Sequence, residues 1–252
     1  MIDPLIAFEG VEIALGGKPV LRGIDCEVHP DEITVILGPS GAGKSVMLRH
    51  VLGLHRPDAG RVLFEGRDVS RMDQDDLYGM RKRIGMLFQD GALFDSLSVF
   101  ENVAFPLRQH RRASESEIGK QVMEKLAMVG LADAREKLPA ELSGGMKKRA
   151  GLARALALEP DVLLFDEPSS GLDPVTAAAI DDLILETRAQ KRIACLIISH
   201  DVASTFKIAD RIGMLFEGKL VAYGPTAQVR ASAEPVLAQF FSRSARGPIR
   251  AV

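Results

Sequence analysis

Several residue types with distinctive chemistry are scarce in this chain. It has no tryptophan among its 252 residues and only two cysteines, Cys26 and Cys195. Both cysteines lie in apolar, strand-like stretches, so we expect small buried side chains rather than a disulfide framework or a zinc site. No apolar run approaches the roughly 20 residues that span a bilayer, and the N-terminus lacks the features of a signal peptide. We therefore predict a cytosolic location, with any membrane role supplied by a partner.

An excess of one charge is also missing. The chain has 32 Lys and Arg against 34 Asp and Glu, which gives a formal net charge of −2. Because nucleic-acid-binding proteins usually carry a clear positive excess, we expect no nucleic-acid partner. Hydrophobic residues at 46% and charged residues at 26% are ordinary for a globular protein and exclude a disordered chain.

The order of the predicted elements indicates an α/β fold. Strand-like runs cover 11–15, 20–28, 33–37, 162–165, 193–199, 212–216 and 219–223. Helical patterns cover 46–54, 146–158 and 176–189; another helix begins near Ser114, and an amphipathic stretch lies at 229–241. Strands separated by helices favour a mostly parallel sheet. The segment 91–158 is mainly helical, which predicts a helical insertion in a sheet domain.

A glycine-rich segment connects the predicted strand 33–37 to the following helix. It matches the phosphate-loop pattern G-x-x-x-x-G-K-[ST] throughout, with Gly38, Pro39, Ser40, Gly41, Ala42, Gly43, Lys44 and Ser45. Its glycines let successive N–H groups point into one concavity, and the helix N-terminus adds positive potential. We expect Lys44 to reach the β- and γ-phosphates of a nucleotide and the Ser45 hydroxyl to ligate Mg²⁺. The alternative, a glycine-rich turn with a stray lysine, does not explain the strand–loop–helix context.

A second motif ends the apolar run 162–165 in two acids. Ligands gather at the carboxyl ends of strands in open α/β sheets. We therefore expect Asp166 to hold Mg²⁺, directly or through water, and Glu167 to polarise the attacking water. A strand that simply runs into an acidic turn would be an equal alternative without the phosphate loop.

A third motif opens the predicted helix 146–158. Ser143, Gly144 and Gly145 precede a helical pattern with three basic residues in its first turns. This arrangement predicts a second anion-binding helix start in one chain. Together with the two phosphate motifs, it resembles the signature sequence of ABC-type ATPases, although Met146 stands where that family usually has glutamine. The resemblance covers about 6–223.

Three further residues match positions of that family. Gln89 resembles the Q-loop glutamine, which senses Mg²⁺ and the water and faces the partner permease. Asp173 resembles the acid of the D-loop. His200 resembles the switch histidine that contacts the γ-phosphate, although a lone histidine after a strand is more often structural.

The resemblance implies an architecture. A RecA-like P-loop core with a mostly parallel sheet would comprise 1–90 and 156–225 and include an N-terminal antiparallel β-subdomain. A helical subdomain with the signature motif would span 91–155, and a C-terminal helix and tail would span 226–252.

The resemblance also implies an activity, hydrolysis of ATP to ADP and phosphate with Mg²⁺. Two copies would bind head to tail, with each ATP between 38–45 of one chain and 143–145 of the other. The implied catalytic residues are Glu167, His200, Gln89 and Lys44. The implied nucleotide-binding residues are 38–45, Ser143, Gly144, Gly145 and Asp173, and the implied metal ligands are Ser45, Gln89 and Asp166.

The family usually stacks adenine on an aromatic residue near Leu15, but Ile13 and Leu15 are aliphatic, so no residue is assigned to the base.

Residues 90–108 resemble the ATPases of bacterial Mla/Mce-type lipid transporters, which share Gly-Ala-Leu-Phe after the glutamine and a later Pro-Leu-Arg. That subgroup implies phospholipid cargo and a peripheral position on the cytoplasmic face of the bacterial inner membrane. The implied partners are an integral permease, an MCE-domain protein and, in some members, a STAS-domain protein. The alternatives are an importer ATPase for another small solute, such as amino acids, and a soluble non-transport ABC ATPase.

Overall fold

The computed structural model describes residues 3–110 and 113–250. Its strands are β1 (Ile6–Leu15), β2 (Lys18–Val28), β3 (Ile33–Leu37), β4 (Ala59–Phe64), β5 (Arg67–Asp68), β6 (Ile84–Leu87), β7 (Val162–Asp166), β8 (Ala194–Ser199), β9 (Arg211–Phe216) and β10 (Lys219–Pro225). Its α-helices are α1 (Lys44–Val51), α2 (Gln74–Lys82), α3 (Val99–His110), α4 (Glu115–Met128), α5 (Gly144–Ala155), α6 (Pro174–Lys191), α7 (Val202–Ile208), α8 (Thr226–Arg230) and α9 (Pro235–Ser242). Contacts divide the chain into two compact units, one of Met1–Tyr78 with Ala194–Val252 and one of Gly79–Ile193.

The first unit contains an antiparallel sheet and a largely parallel set of strands. The antiparallel sheet has the order β2-β1-β4-β5. In the other set, β3 pairs in parallel with both β8 and β9, and β10 closes the edge antiparallel to β9. All five residues of β3 are buried, as its continuous apolar run predicts. This combination confirms the predicted α/β class with a mostly parallel core and an N-terminal antiparallel β-subdomain.

The second unit combines a parallel strand pair with helices. Strands β6 and β7 pair in parallel, and the apolar residues of β7 are buried. Helices α3, α4 and α5 each bury an apolar face, with Val103, Val122 and Leu152 almost wholly inaccessible. The helical segment predicted at 91–155 lies within this unit. Across the described residues, no helix combines the length and the apolar character needed to cross a membrane.

The C-terminal pattern at 229–241 forms two helices rather than one amphipathic stretch. Helix α8 ends at Arg230, and α9 begins at Pro235, with the Glu234 carboxylate accepting from the Val236 N–H at 3.4 Å. Proline has no N–H and fits the first turn of a helix, so it starts α9 rather than extending α8. The Gln239 side chain then holds the chain that follows, donating to the Ile249 carbonyl at 2.9 Å and accepting from the Ile249 N–H at 2.7 Å.

Both cysteines are buried and unpaired with each other, as predicted. Cys26 lies in β2 and Cys195 in β8, both at positions that face the interior. Burial raises the pKa of the Cys26 thiol, and the neighbouring carboxylates of Asp25 and Glu27 add to that effect. The thiol therefore stays protonated and unreactive.

Candidate ATP-hydrolysis site

The glycine-rich loop lies between β3 and α1 and is closed by its own lysine. Lys44 is only 6% exposed, and its ammonium donates to the carbonyl oxygens of Gly38 at 2.8 Å and Pro39 at 3.1 Å. Gly41 and Gly43 have φ angles of 79° and 102°, in the left-handed region that favours glycine. The loop thus wraps around the ammonium at the start of a helix.

The space around the glycines explains why side chains are absent there. A Cβ at Gly38 would lie 2.4 Å from the Leu215 carbonyl oxygen, and one at Gly43 would lie 3.0 Å from Val20 Cγ1. A Cβ at Gly41 would meet nothing within 4 Å, so that side of the loop is open. A buried ammonium, a helix N-terminus and one open side fit a polyphosphate group.

His200 follows the strand next to the one that leads into the loop. Leu37, the last residue of β3, lies opposite Ser199, the last residue of β8. The Ser199 hydroxyl accepts from the Asp201 N–H at 2.9 Å, and the Asp201 carboxylate caps α7. His200 is exposed between these two anchors. The first unit therefore brings His200 and the phosphate loop to the same edge of its strands, as expected from the parallel pairing.

The second unit brings Gln89 and the two acids together in the same way. Leu87, at the end of β6, lies opposite Phe165 in β7. Gln89 is exposed just beyond β6, and Asp166 and Glu167 are partly exposed at the end of β7. Carboxylate and amide oxygens are ligands that Mg²⁺ prefers, so the side chains of these residues have the chemistry of magnesium ligands.

The signature motif begins α5 and lies against the start of α6. The Ser143 hydroxyl caps α5 by accepting from the Met146 N–H at 3.3 Å. A Cβ at Gly145 would lie 2.5 Å from Thr176 Cγ2, so the two helix starts approach too closely for a larger residue. Asp173 caps α6 by accepting from the N–H groups of Val175 and Thr176, both at 3.0 Å.

Hydrogen bonds also favour the ionised form of the Asp173 carboxylate. The Thr176 hydroxyl donates to this carboxylate at 2.5 Å and, with the backbone N–H groups, lowers the pKa of Asp173. Asp173 is therefore a stable anion in a structural role, and any contact with a nucleotide-bound partner would be additional to this cap.

Three polar residues that sequence reasoning missed organise the second unit. Arg154 donates to the carbonyls of Gly91 at 2.9 Å and Ala92 at 2.8 Å, and fully buried Asn102 accepts from the Phe94 N–H at 2.8 Å. Lys148 is 4% exposed and also binds carbonyl groups. The sequence offered one signal for them: each is a polar residue that falls, by helical spacing, on the same face as apolar residues. That spacing indicates a buried polar side chain.

An aromatic groove lies beside the segment that follows Gln89. Its volume is about 380 Å³, and its walls include Phe88, Phe94 and Phe105, which are 43%, 45% and 40% exposed. The Phe94 and Phe105 rings lie 4.9 Å apart, and the Arg154 guanidinium lies 6.0 Å from the Phe94 ring. Exposed aromatic residues around a concavity are typical of a binding surface.

Near Leu15, where the family usually has an aromatic residue against adenine, Ile13 and Leu15 differ in exposure. Ile13 is 6% exposed and belongs to the core of the antiparallel sheet, whereas Leu15, at the end of β1, is 37% exposed. Of the two, Leu15 alone has substantial surface to offer to a base.

Comparison with known families decides the classification. Residues 21–170 match the model of the ABC transporter family. The chain is an ABC transporter ATPase. Members of this family bind ATP and couple its hydrolysis to transport, so the ABC ATPase fold, ATP binding and hydrolytic activity implied by the sequence motifs are confirmed.

Relatives of this ABC ATPase carry two kinds of name. The intermembrane phospholipid transport system ATP-binding protein MlaF of Escherichia coli strain K12 is 42% identical over 245 residues, which is 97% of this chain and 91% of that protein. A probable ribonucleotide transport ATP-binding protein, mkl, of Mycobacterium leprae is 45% identical over 244 residues, which is 97% of this chain and 70% of that protein.

Solved structures resemble the ABC ATPase over most of its length. CbiO1 from Clostridium perfringens, part of the ABC transporter complex cbiONQ, has a TM-score of 0.84, 31% identity and 92% coverage of both chains. The cassette MJ0796, in a dimeric post-hydrolysis state bound to ADP and Pi, has a TM-score of 0.79 and 29% identity, covering 87% of this chain and 98% of that chain.

Proposed function

We propose that this ABC ATPase is the ATP-hydrolysing subunit of a translocase that moves phospholipid across the bacterial envelope through a separate membrane permease. The loop closed by Lys44 is the observation that carries the ATPase half of this proposal, because a buried ammonium inside a glycine loop suits a triphosphate. Nearly full-length similarity to MlaF supports the lipid half.

The loop 38–45 is assigned to the phosphates of ATP, with the Lys44 ammonium directed to the β- and γ-phosphates. Ser45, Gln89 and Asp166 supply the oxygen ligands of Mg²⁺. When bound, this ion neutralises charge on the transferring phosphoryl group. The fit rests on donor chemistry, since hydroxyl, amide and carboxylate oxygens are hard ligands.

Hydrolysis is assigned to Glu167 and His200. The Glu167 carboxylate polarises the attacking water, and the His200 imidazole contacts the γ-phosphate, where charge develops. Gln89 comes after β6 and Glu167 after the parallel neighbour β7, so both lie at the same edge of this strand pair. The Gln89 side chain is assigned to sense the water and the metal. Partial exposure of Glu167 and exposure of His200 and Gln89 support these assignments, because each side chain is accessible to a ligand.

A homodimer is assigned as the active state. Two copies bind head to tail, so that 143–145 of one chain meet the phosphates held by 38–45 of the other, with Asp173 nearby. Neutralising a multiply charged phosphate group from two helix N-termini is more favourable than from one. Dimeric MJ0796, with ADP and Pi bound, supports this assembly.

The aromatic groove beside Phe94 is assigned to the permease. Part of its wall, including Phe94 and Phe105, belongs to 90–108, the segment whose sequence resembles the lipid-transporter subgroup. Its exposed aromatic rings suit an apolar segment of the permease. An MCE-domain protein, and a STAS-domain protein on the cytosolic side, complete the proposed assembly. The subunit then sits peripherally on the cytoplasmic face of the inner membrane.

The mycobacterial relatives favour one competing cargo, ribonucleotides. Purification of the tagged chain with its bound membrane proteins, followed by reconstitution in vesicles, separates the two. We expect a permease and an MCE-domain protein to copurify, and phospholipid, not ribonucleotide, to stimulate ATP hydrolysis. Recovery of a nucleotide or amino-acid permease without an MCE partner would overturn the lipid assignment. Glu167→Gln, which should reduce turnover to a low residual rate while retaining ATP, is the control for hydrolysis by this subunit.

A further inference from the structure

The buried side chain of Lys148 has no role in the function described so far. Lys148 lies in the second turn of α5 and is 4% exposed. Burial of an ammonium group is costly unless hydrogen bonds replace its hydration. Here the ammonium donates to two backbone carbonyls, those of Ser170 at 2.7 Å and Glu167 at 3.2 Å. It therefore connects the signature helix to the residue assigned to polarise water.

The Glu167 backbone is unusual and needs support. Its φ of 51° places a non-glycine residue in the left-handed region, where a side chain strains the backbone. Such a conformation persists only where surrounding contacts hold it. The Glu167 carbonyl accepts both from Lys148 and from the Ser170 N–H at 3.2 Å, and the turn closes with the Leu172 N–H donating to Ser169 at 3.3 Å. Lys148 thus holds both ends of the segment 167–170.

The charges around Lys148 agree with this arrangement. Burial lowers the pKa of Lys148, while the carboxylates of Asp90 and Glu167 oppose that shift. Asp90 comes directly after Gln89, so acids beyond the ends of both β6 and β7 interact with one ammonium. The contacts of Lys148 therefore involve three segments that carry site residues: the signature helix, the segment after β6 and the segment after β7.

We propose that Lys148 is a positioning residue for ATP hydrolysis: its ammonium fixes the left-handed peptide of Glu167 and so orients the Glu167 carboxylate toward water. This inference rests on the proposed role of Glu167. In the head-to-tail dimer, 143–145 and Glu167 of one chain serve different ATP molecules. Lys148 joins these two elements within a chain and therefore provides a direct mechanical link between the two sites.

Steady-state ATPase kinetics of the full-length chain with its permease test the proposal. Lys148→Met keeps most of the length of the side chain but removes the charge and the hydrogen bonds. We expect kcat to fall about tenfold or more with KM for ATP within about twofold, because misplacement of a reacting group lowers kcat first. Lys148→Arg, which keeps the cation and its donors, should recover much of the loss. Lys147→Met is the matched control, since this neighbouring lysine is more exposed and has the same charge.

A double-mutant cycle distinguishes positioning from a general structural effect. If Lys148 acts through Glu167, adding Lys148→Met to Glu167→Gln should leave the residual rate unchanged. Equal kcat for Lys148→Met and Lys147→Met, a loss confined to KM, or an additive cycle would overturn the inference. Full activity of Glu167→Gln would instead reject the proposed function. Should Lys148→Met fail to fold, Lys148→Gln takes its place under the same criteria.

Discussion

The ammonium of Lys44 lies 2.8 Å from the carbonyl oxygen of Gly38, the first residue of the loop that it closes. The lysine that matches the phosphate-binding motif therefore already points into the loop rather than into solvent. Its two carbonyl partners, on Gly38 and Pro39, hold the positive charge beside the start of α1. A triphosphate would meet a preformed cation there, which reduces the cost of organising the site on binding.

Replacement of Lys44 tests the loop assignment. Lys44→Ala removes the buried ammonium, and we expect ATP affinity to fall about tenfold or more, since hydrogen bonds to charged groups are worth roughly 1.5–3 kcal/mol. Calorimetric titration with ATP measures the change. Lys120→Ala, at an exposed position on α4, is the matched control and should bind ATP normally. Unchanged affinity in the Lys44 variant would contradict the assignment.

The close approach of α5 and α6 predicts different responses from two adjacent glycines. A Cβ at Gly145 would lie 2.5 Å from Thr176 Cγ2, whose side chain is fixed by its hydrogen bond to Asp173. Gly145→Ala should therefore lower the free energy of unfolding by about 1–3 kcal/mol, as overpacking usually does. Gly144→Ala should cost little, because its Cβ would lie 3.4 Å from the end of the Leu172 side chain.

Thermal unfolding of the two glycine variants measures this difference. Thr176→Ser keeps the hydroxyl but removes the clashing methyl group, so it should restore stability to Gly145→Ala. Equal stability of the two glycine variants, or no recovery in the double variant, would show that the packing of α5 against α6 is not the cause.

Much of this site was predictable from local sequence, and its supporting contacts were not. The loop 38–45, the helix start at Ser143 and the strand before Asp166 each depend on residues adjacent in the chain, and each forms as predicted. Lys148 and Arg154 bind carbonyls of residues far along the chain. Their helical spacing therefore indicates burial, but no local pattern reveals their partners. The roles assigned to Glu167 and His200 toward ATP stay predictions, because they depend on a ligand.

The fold shows the same division between local and distant interactions. The buried strand β3 was evident from its apolar run, but β4 was missed, because its pairing with β1 joins Phe64 to Ile6. Its pattern is also weak, since Ala59, Gly60 and Arg61 are exposed. Helix α3 contains Pro106, a residue that usually interrupts a helix. Tertiary packing, rather than propensity, accounts for both elements.

A tyrosine in the first unit predicts how stability depends on alkaline pH. The Tyr223 hydroxyl accepts from the Glu27 N–H at 3.1 Å and donates to the Glu27 carbonyl. Burial raises the pKa of Tyr223 to about 12 in the folded protein, against about 10 in an unfolded chain. The proton is therefore held more tightly by the folded state, and its contribution to stability, complete below pH 10, is lost between about pH 10 and 12.

Denaturant unfolding of Tyr223→Phe across this range checks that sign. At pH 8 the variant should be less stable by about 0.5–1.5 kcal/mol, the net value of a hydrogen bond. The difference between the two proteins should narrow from about pH 10 to pH 12, because only the wild type has the phenol to ionise. A difference that stays constant through this window would contradict the assigned environment of Tyr223.

The sharing of each ATP between two chains is tested most directly by mixing two inactive variants. Lys44→Ala disables the phosphate loop, and Ser143→Arg obstructs the signature helix start, so each variant alone should lack ATPase activity. In a mixed dimer of the head-to-tail form, one site contains both defects and the other contains the intact Lys44 of one chain and the intact Ser143 of its partner. The account predicts that mixing restores ATP hydrolysis. A mixture of folded, associating variants that stays inactive would contradict it.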